Sequence, residues 1–368
     1  MPDDNLPTLG MDISDHSIEL CEIDFEGDIT FRGKIACTEK ALRSFFLGRK
    51  YRRTVLEAGS HSPWIARLLE ELGQSPLVVN PRRLAAITQS KTKNDRNDAE
   101  LLARLGRADE TLLSPVEHRS VDAQKGVARL RARDSLVTAR TKLINAARGL
   151  AKPFGFRFAP CTAAAFAKRA RESVPPELEP ILAHLLAAIA VVSEQVDAYD
   201  KDLVALAAES FPDTQLVQQV AGVGPVTALA FIVTVDDPKR FVHVRDVGAW
   251  LGLVPGQDQS GEANRQLRIT KQGDSYLRRL LVTSAQYILG PLGPDTDLRR
   301  FGLTLAERGG KTGKKRAVVA VARKLSVLLL SMWRSGEVYQ PLRGEGVPRS
   351  PLHLRRSTPV SAPMAAPA

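Results

Sequence analysis

The chain has 368 residues, enough for two or three domains with cores of their own. Hydrophobic residues make up 43% and charged residues 25%, the balance of a soluble globular protein; Lys plus Arg (52) exceed Asp plus Glu (41), and the formal charge of +11 points to a polyanionic partner, nucleic acid first. The widely spaced Cys21, Cys37 and Cys161 exclude a zinc ribbon or disulfide framework and suit a reducing cytoplasm, and neither a signal peptide nor a membrane-spanning stretch is expected.

Strands are expected over 9–13, 17–23 and 29–35, the last two joined by a hairpin turn at Glu26-Gly27-Asp28. A helix follows over 38–46, then a short strand over 54–57 that ends at Glu57 before Ala58-Gly59-Ser60. A helix over 64–72, a strand over 76–79 and a short helix over 82–88 complete the series. Three meandering strands followed by alternating helix and strand is the order of a ribonuclease H-like domain. That topology sets the strand carrying Glu57 beside the first strand, so that Asp12 and Glu57 meet at one edge of the sheet.

In Lys93-Asn-Asp-Arg-Asn-Asp-Ala-Glu100, Asp95 and Asp98 stand three residues apart ahead of Leu101, Leu102 and Leu105. On a helix they share one face, and that helix would close the cluster. Each acid alone has an ordinary use, as a helix cap, a first-turn charge or a turn former. Together at these element ends they favour a site for Mg²⁺, a hard cation that shares carboxylate and phosphate oxygens and promotes phosphoryl transfer.

From 112 the sequence turns helical, with Val127, Leu130, Leu136 and Leu143 among Arg129, Arg131, Arg133, Arg140 and Arg148. Such a basic face suits a phosphate backbone or plain solvation. The pattern breaks at 153–158. Leu178, Leu182, Leu185, Ile189, Val192, Val196, Tyr199, Leu203 and Leu206 then alternate spacings of four and three, a heptad seam that suits an amphipathic helix packed on its own domain and favours pairing with a second helix, from this chain or from another protomer.

After Phe211-Pro212, the run from Val220 through Gly222, Gly224 and Pro225 to Leu229 matches a helix-hairpin-helix, whose backbone N–H groups face a DNA phosphate. The two glycines equally suit a tight helix–helix turn. Further on, a polar loop holds Ser260-Gly261, with Arg265, Arg268 and Lys271 nearby. These cations would stabilise a phosphorane-like transition state for attack by a serine hydroxyl. Arg308, Lys311, Lys314, Lys315 and Arg316 follow on a flexible loop with Gly309, Gly310 and Gly313, ahead of a helix over 318–330. The stretch 341–368 reads as a disordered basic tail, and no Walker-type phosphate loop occurs.

In combination, Leu253-Val-Pro, Ser260-Gly261, Arg268-Ile-Thr-Lys271, Gly273-Asp274, Leu277-Arg278 and the set Asp12, Glu57, Asp95 and Asp98 resemble the DEDD transposases of insertion-sequence family 110, over about residues 9–339. The resemblance implies a RuvC-like domain holding Mg²⁺ on those acids, a coiled-coil insertion, and a C-terminal transposase domain whose Ser260 attacks DNA to form a covalent phosphoserine link. It further implies a structured bridge RNA that selects donor and target DNA, and assembly as dimers or tetramers in which the acids of one protomer serve the serine of another. The expected fold is therefore an α/β RNase H-like domain over 1–115, a helical coiled-coil region over 116–210 and a mainly helical domain over 211–340, ahead of the tail. Residues expected on nucleic acid are Gly222, Gly224, Arg265, Arg268, Lys271, Lys314, Lys315 and Arg316. The chain departs from the usual family pattern at Asn94 and Asn97 and in Gln-Asp-Gln before the serine. RuvC-like resolvases share the acids and lack the serine domain, which leaves two other functions to separate: a junction nuclease that uses water, and a non-catalytic nucleic-acid-binding protein.

Overall fold

Alternating apolar and polar side chains give the N-terminal strands two distinct faces, and each face is covered by different helices. The computed structural model describes residues 5–80, 95–107, 113, 115–260 and 263–343, without the side chains of 95, 96, 259, 260, 263–266 and 311. The helix expected over 82–88, Gly261, the side chains of Asp95, Ser260 and Arg265, and the tail beyond 343 lie outside the described residues. Two compact units make up the chain, Met1–Ser120 and Val121–Ala368.

In the first unit, β1 (Thr8–Ile13), β2 (Ser17–Ile23) and β3 (Ile29–Ala36) form an antiparallel meander. Parallel strands β4 (Arg53–Glu57) and β5 (Pro76–Val79) extend it in the order β3-β2-β1-β4-β5. The mixed α/β sheet expected from the sequence is borne out. Its β2–β3 turn is fixed by Gly27 at φ +104° and by the Asp24 carboxylate, which accepts the N–H groups of Gly27 and Asp28, each at 2.8 Å.

One face, carrying Leu9, Met11, Ile18, Leu20, Leu56 and Val78, packs on α1 (Glu39–Phe46) and α2 (Ser62–Glu71) through Leu42, Phe46, Ile65 and Leu69. The other face carries Cys21, Ile23, Val55, Leu77 and Val79 and is covered by Ala99, Leu102 and Ala103 of α3 (Asp95–Arg107). Burying each large aliphatic side chain this way stabilises the unit by about 1.5–3 kcal/mol. Gly10 lets α3 lie directly on β1. A Cβ there would fall 2.0 Å from the Ala99 carbonyl oxygen and 2.6 Å from the Ala103 nitrogen.

The second unit opens with α4 (Val121–Ala151), which reaches the short α5 (Phe166–Ser173) and then packs along α6 (Glu179–Ser210). Of the heptad seam, Leu178, Leu182, Ile189, Val196 and Leu203 are buried, and the second helix they favoured comes from the same chain. Arg133 of α4 clamps Asp200 of α6 with hydrogen bonds of 2.8 and 3.2 Å. Arg131 is likewise engaged inside the unit, so the basic face expected along this helix is in part a set of internal ties.

By length and composition alone α6 passes for a membrane-spanning helix, a test that the core helix of a bundle also passes. Its buried side chains lie against α4 and its C-terminal half carries Asp197, Asp200, Lys201 and Asp202, the pattern of a bundle helix.

The remainder is mainly helical, as expected. Short α7 (Thr214–Val217) leads to α8 (Pro225–Val235) and α9 (Asp246–Trp250), then to a hairpin of β6 (Pro255–Ser260) and β7 (Ala263–Ile269). Three helices follow, α10 (Ser275–Leu289), α11 (Asp297–Arg308) and α12 (Gly313–Ser335). Their core gathers Phe231, Val233, Leu251, Leu277, Leu281, Leu325 and Leu329.

Two local expectations fail. The polar loop around Ser260 is a β-hairpin, because Gln257, Asp258 and Gln259 pair across to Gln266, Arg265 and Asn264. The flexible basic loop before residue 318 is helical from Gly313 onward. Gly313 and Gly309 let the backbones meet, since a Cβ on Gly313 would fall 2.5 Å from the Ala306 carbonyl oxygen.

Candidate active site and nucleic-acid contacts

The acidic site follows from the register of β1, β4 and α3. Parallel pairing of β1 with β4 ends at Met11 opposite Leu56, and Asp12 and Glu57 come next, one on each strand. Gly10 pairs with Val55, and Glu57 pairs with Val79, all on the face that α3 covers. Side chains two apart share a face, so Asp12 and Glu57 project on the same side as α3. The helix runs antiparallel to β1: Gly106 lies against Val55 and Thr8, whereas Ala99 and Ala103 lie against Gly10. Stepping from Gly10 to Asp12 advances about 6.6 Å along the strand, and stepping back from Ala99 to Asp95 covers about 6 Å of helix. The two ends therefore converge, and the backbones of Asp12, Glu57, Asp95 and Asp98 reach one edge of the sheet.

Side chains of Asp12, Glu57 and Asp98 are each half-buried. Their carboxylates do not form a tight group. Among the described residues, the three acids whose oxygens all lie within 4.8 Å of one another are Asp24, Glu26 and Asp28 in the β2–β3 turn, where Asp24 already serves as the turn's acceptor. Backbone hydrogen bonds, that from Asp28 first, hold the Asp24 carboxyl below the usual range.

Several neighbours escaped the sequence reading. Glu19 stands directly opposite Asp12 on β2 and is only 15% exposed; Lys34, opposite it on β3, pairs with it at 2.8 Å. Facing carboxylates on paired strands repel, and the Lys34 ammonium offsets that on one side only. Beyond the strand ends, His61 Nε2 lies 3.2 Å from Asp15 Oδ1, and Trp64 donates its indole N–H to His61 Nδ1 at 3.2 Å. The Trp64 contact leaves the ring proton on Nε2, facing Asp15, so the loop after β1 is tied to the start of α2 after β4. Nearby, Arg104 at 2.7 Å and then Arg32 hold the Glu100 carboxyl below the usual range, which commits it to structure.

Around the serine, the string Gly273-Asp274 to Leu277-Arg278 turns out to build a brace. Ser260 ends β6, opposite Ala263 at the tip of the hairpin. At the base of the hairpin Gly252 (φ +68°) and Gly273 (φ +71°) let two turns touch: a Cβ on Gly273 would fall 2.1 Å from the Trp250 carbonyl oxygen. Arg278 donates to the carbonyls of Leu251 at 2.9 Å and Gln272 at 2.7 Å. Asp274 caps α10 through the Leu277 N–H at 2.8 Å and also accepts from Arg131 of α4 at 2.7 Å. Tyr276 lies between the guanidinium groups of Arg131 and Arg279, 4.9 and 5.2 Å from its ring, and burial pushes its phenol pKa up. Arg268 and Lys271 are exposed beside this base, Lys271 in the left-handed region at φ +55°, a costly conformation for a side chain of this type.

Gly222, at φ +87°, and Gly224, the N-cap of α8 ahead of Pro225, line a cavity of about 390 Å³ with Gln218, Thr227, Thr283 and Tyr287. A Cβ on Gly222 would meet Tyr287 at 3.0 Å and the Ser284 carbonyl at 3.1 Å, so this turn is tight as well as open to a ligand. Lys314, Lys315 and Arg316 occupy the exposed first turn of α12. The helix dipole disfavours cations there, which is the arrangement of a surface that meets anions.

Comparison with known proteins accounts for both halves. A DEDD transposase model of the IS110 type matches residues 9–153, and a model for the transposase IS116/IS110/IS902 family matches residues 214–293. The transposase for insertion sequence element IS1111A of Coxiella burnetii is 31% identical over 349 residues, 91% of this chain and 92% of its own length. The chain belongs to the IS110 family of transposases. A probable family 20 transposase of Pseudomonas aeruginosa is 27% identical and covers 92% of the chain and 99% of its own length; a putative transposase of Sinorhizobium fredii, y4pF/y4sB, is 29% identical over 344 residues. In this transposase the first matched region begins at β1 with Asp12 and the second takes in the Gly222 turn, the serine hairpin and α10.

Proposed function

We propose that this transposase excises and inserts its element by phosphoryl transfer on DNA, with Asp12, Glu57, Asp95 and Asp98 as the ligands of Mg²⁺ and Ser260 as the nucleophile. The observation that carries the reading is the antiparallel seating of α3 on β1 through Gly10, which brings the acids to one sheet edge. The donor set fits such a cation: hard carboxylate oxygens on β1, β4 and α3, those of Asp12, Glu57 and Asp98 half-buried, with Glu19 adding repulsion that Lys34 offsets only in part. When bound, the ion supplies charge neutralisation at the scissile phosphate.

The chain's own residues do the rest. Ser260 Oγ attacks phosphorus, an O–P bond to the serine forms, and one DNA oxygen leaves as a hydroxyl that takes up a proton. On rejoining, a DNA hydroxyl attacks the same phosphorus and Ser260 regains its proton, so phosphodiester energy is conserved and no nucleotide hydrolysis is needed. Arg268 and Lys271 stabilise the extra charge on the phosphoryl oxygens. Arg265, the Gly222 and Gly224 turn, and Lys314, Lys315 and Arg316 hold the backbone of DNA. Donor and target are chosen through a bridge RNA, and the working assembly is a dimer or tetramer; Val191 and Val204, 57% and 51% exposed on α6, supply apolar surface for it.

The test is a denaturing-gel assay for a protein–DNA adduct with Mg²⁺, element-end DNA and RNA transcribed from the element's non-coding flank. Wild type should give an adduct that Ser260→Ala and Asp12→Asn both lose, with DNA binding retained. Cleavage by Ser260→Ala at the wild-type rate, without any adduct in either protein, would assign the reaction to water instead.

A further inference from the structure

The far end of the α4–α6 hairpin holds a second cavity that neither the acids nor the serine uses. Its volume is about 390 Å³, and it is lined by Arg148, Lys152, Arg157, Phe158, Pro160 and Cys161. The three cations approach from the last turn of α4, the short 3-10 turn Lys152–Phe154 and the segment beyond Gly155. Among the described residues none of them forms an ion pair, and no carboxylate lines the space.

Arg148 Nε is buried with no hydrogen-bond partner, although its guanidinium sits 5.2 Å from the Phe166 ring. Buried donors are nearly always paired, so a missing acceptor is a reason to look for a ligand. A helix C-terminus attracts cations by itself, which accounts for Arg148 and Lys152. It does not account for Arg157, past the break, nor for the surrounding charge. Residues 135–171 contain Arg140, Lys142, Arg148, Lys152, Arg157, Lys168, Arg169 and Arg171 and not one Asp or Glu.

The cavity's other wall is aromatic. Phe158 is braced edge-on by Phe156 at 5.0 Å and Phe166 at 5.2 Å, which fixes its ring beside the cations. Unpaired cations next to a fixed ring and a space large enough for one nucleotide are the parts of a single-strand site: a base inside a duplex is already stacked and cannot enter.

We propose that this end of the hairpin binds a single-stranded polynucleotide, with Arg148, Lys152 and Arg157 on successive phosphodiester oxygens and one unpaired base in the cavity against Phe158. The site is independent of the serine chemistry, and binding alone tests it. RNA and DNA offer the same phosphodiester, so both strands are used as probes.

Lys152 and Arg157 are exposed, so a Lys152→Ala/Arg157→Ala double variant leaves the core intact. The full chain and the variant are titrated with oligo(U), oligo(dT) and a mixed-sequence duplex over a range of salt. For the single strands, the slope of log affinity against log salt should fall in magnitude by about 1.4, for two lost contacts, so that the loss of affinity between about 50 and 200 mM salt shrinks about sevenfold. The duplex slope should not change. Cys161 supplies a second readout, since it lines the cavity while Cys37 lies in the other unit. Site-resolved mass spectrometry should show single strands protecting Cys161 from alkylation, with Cys37 unaffected, and Phe158→Leu weakening the protection. Stronger protection by oligo(U) identifies RNA as the natural strand, and stronger protection by oligo(dT) identifies DNA. Unchanged single-strand slopes in the double variant, equal slope changes for strand and duplex, or Cys161 as reactive with oligonucleotide as without it, would each overturn the proposal.

Discussion

Replacing Gly10 by alanine tests the acidic site through its packing, without touching an acid. The new Cβ would sit 2.0 Å from the Ala99 carbonyl oxygen and 2.6 Å from the Ala103 nitrogen. Both are backbone atoms of α3 and cannot rotate aside, so regaining ordinary contact at 3.4 Å requires the helix to retreat by about 1.4 Å. Overpacking of this kind costs about 1–3 kcal/mol. Asp95 and Asp98 travel with the helix while Asp12 and Glu57 stay on the sheet, and a misplacement near 1 Å costs about a hundredfold in rate. The assay pairs urea unfolding with single-turnover cleavage of element-end DNA at saturating Mg²⁺. Gly10→Ala should unfold at lower urea, cleave about a hundredfold more slowly and bind DNA with wild-type affinity, because the cations expected on DNA lie in the other unit. A destabilised variant that cleaves at the wild-type rate would refute the claim that the seating of α3 sets the spacing of the acids.

Other outcomes follow from the same contacts. Arg278→Ala leaves the Leu251 and Gln272 carbonyls without their donor, and should destabilise the second unit by about 1–3 kcal/mol in urea while lowering adduct yield more than DNA affinity. Gly149→Ala, on the exposed side of α4 with nothing within 4 Å of the added methyl, should stabilise by about 0.5–1 kcal/mol; a loss of stability there would mean that the helix is not continuous to its end. Tyr51 donates to Glu22 at 3.0 Å, and burial, then the Glu22 charge, push its pKa up to about 12. Its contribution is therefore complete below the unfolded value near 10 and is lost as pH rises through about 12. Urea midpoints should fall across that window in the wild type, and Tyr51→Phe should flatten the fall; parallel curves would contradict it.

Much of the first unit was legible because its strands alternate and its turns carry Gly27 and Asp28, so the bounds of β2 and β5 follow from pattern alone. Asp12 and Glu57 were placed at one edge by topology. The role of Gly10 was not, since a lone glycine in a strand does not say which helix presses on it. Glu19 was missed for a related reason: its position opposite Asp12 depends on the turn at 14–16 being tight, which is a matter of register. The heptad seam revealed a partner helix and could not say whose, because Leu182 or Val196 would bury equally well against either. Around Ser260 the polar string Gln257-Asp258-Gln259 hides a hairpin, as its pairing rests on backbone bonds that any side chain permits. Asp274 and Arg278 stood in the sequence only as parts of the family string; their use as a cap and a clasp depends on contacts that the string does not show.

The double engagement of Asp274 gives the long helix α4 a mechanical character. The Arg131–Asp274 bond ties it to the turn from which the serine hairpin rises, and Arg148 at the distal cavity lies seventeen residues farther along, about 26 Å of unbroken helix. Paired with α6, it is a stiff strut rather than a tether. A push at the far end therefore reaches the Asp274 cap as a displacement of the whole rod, because no break in α4 lies between Arg148 and Arg131 to absorb it.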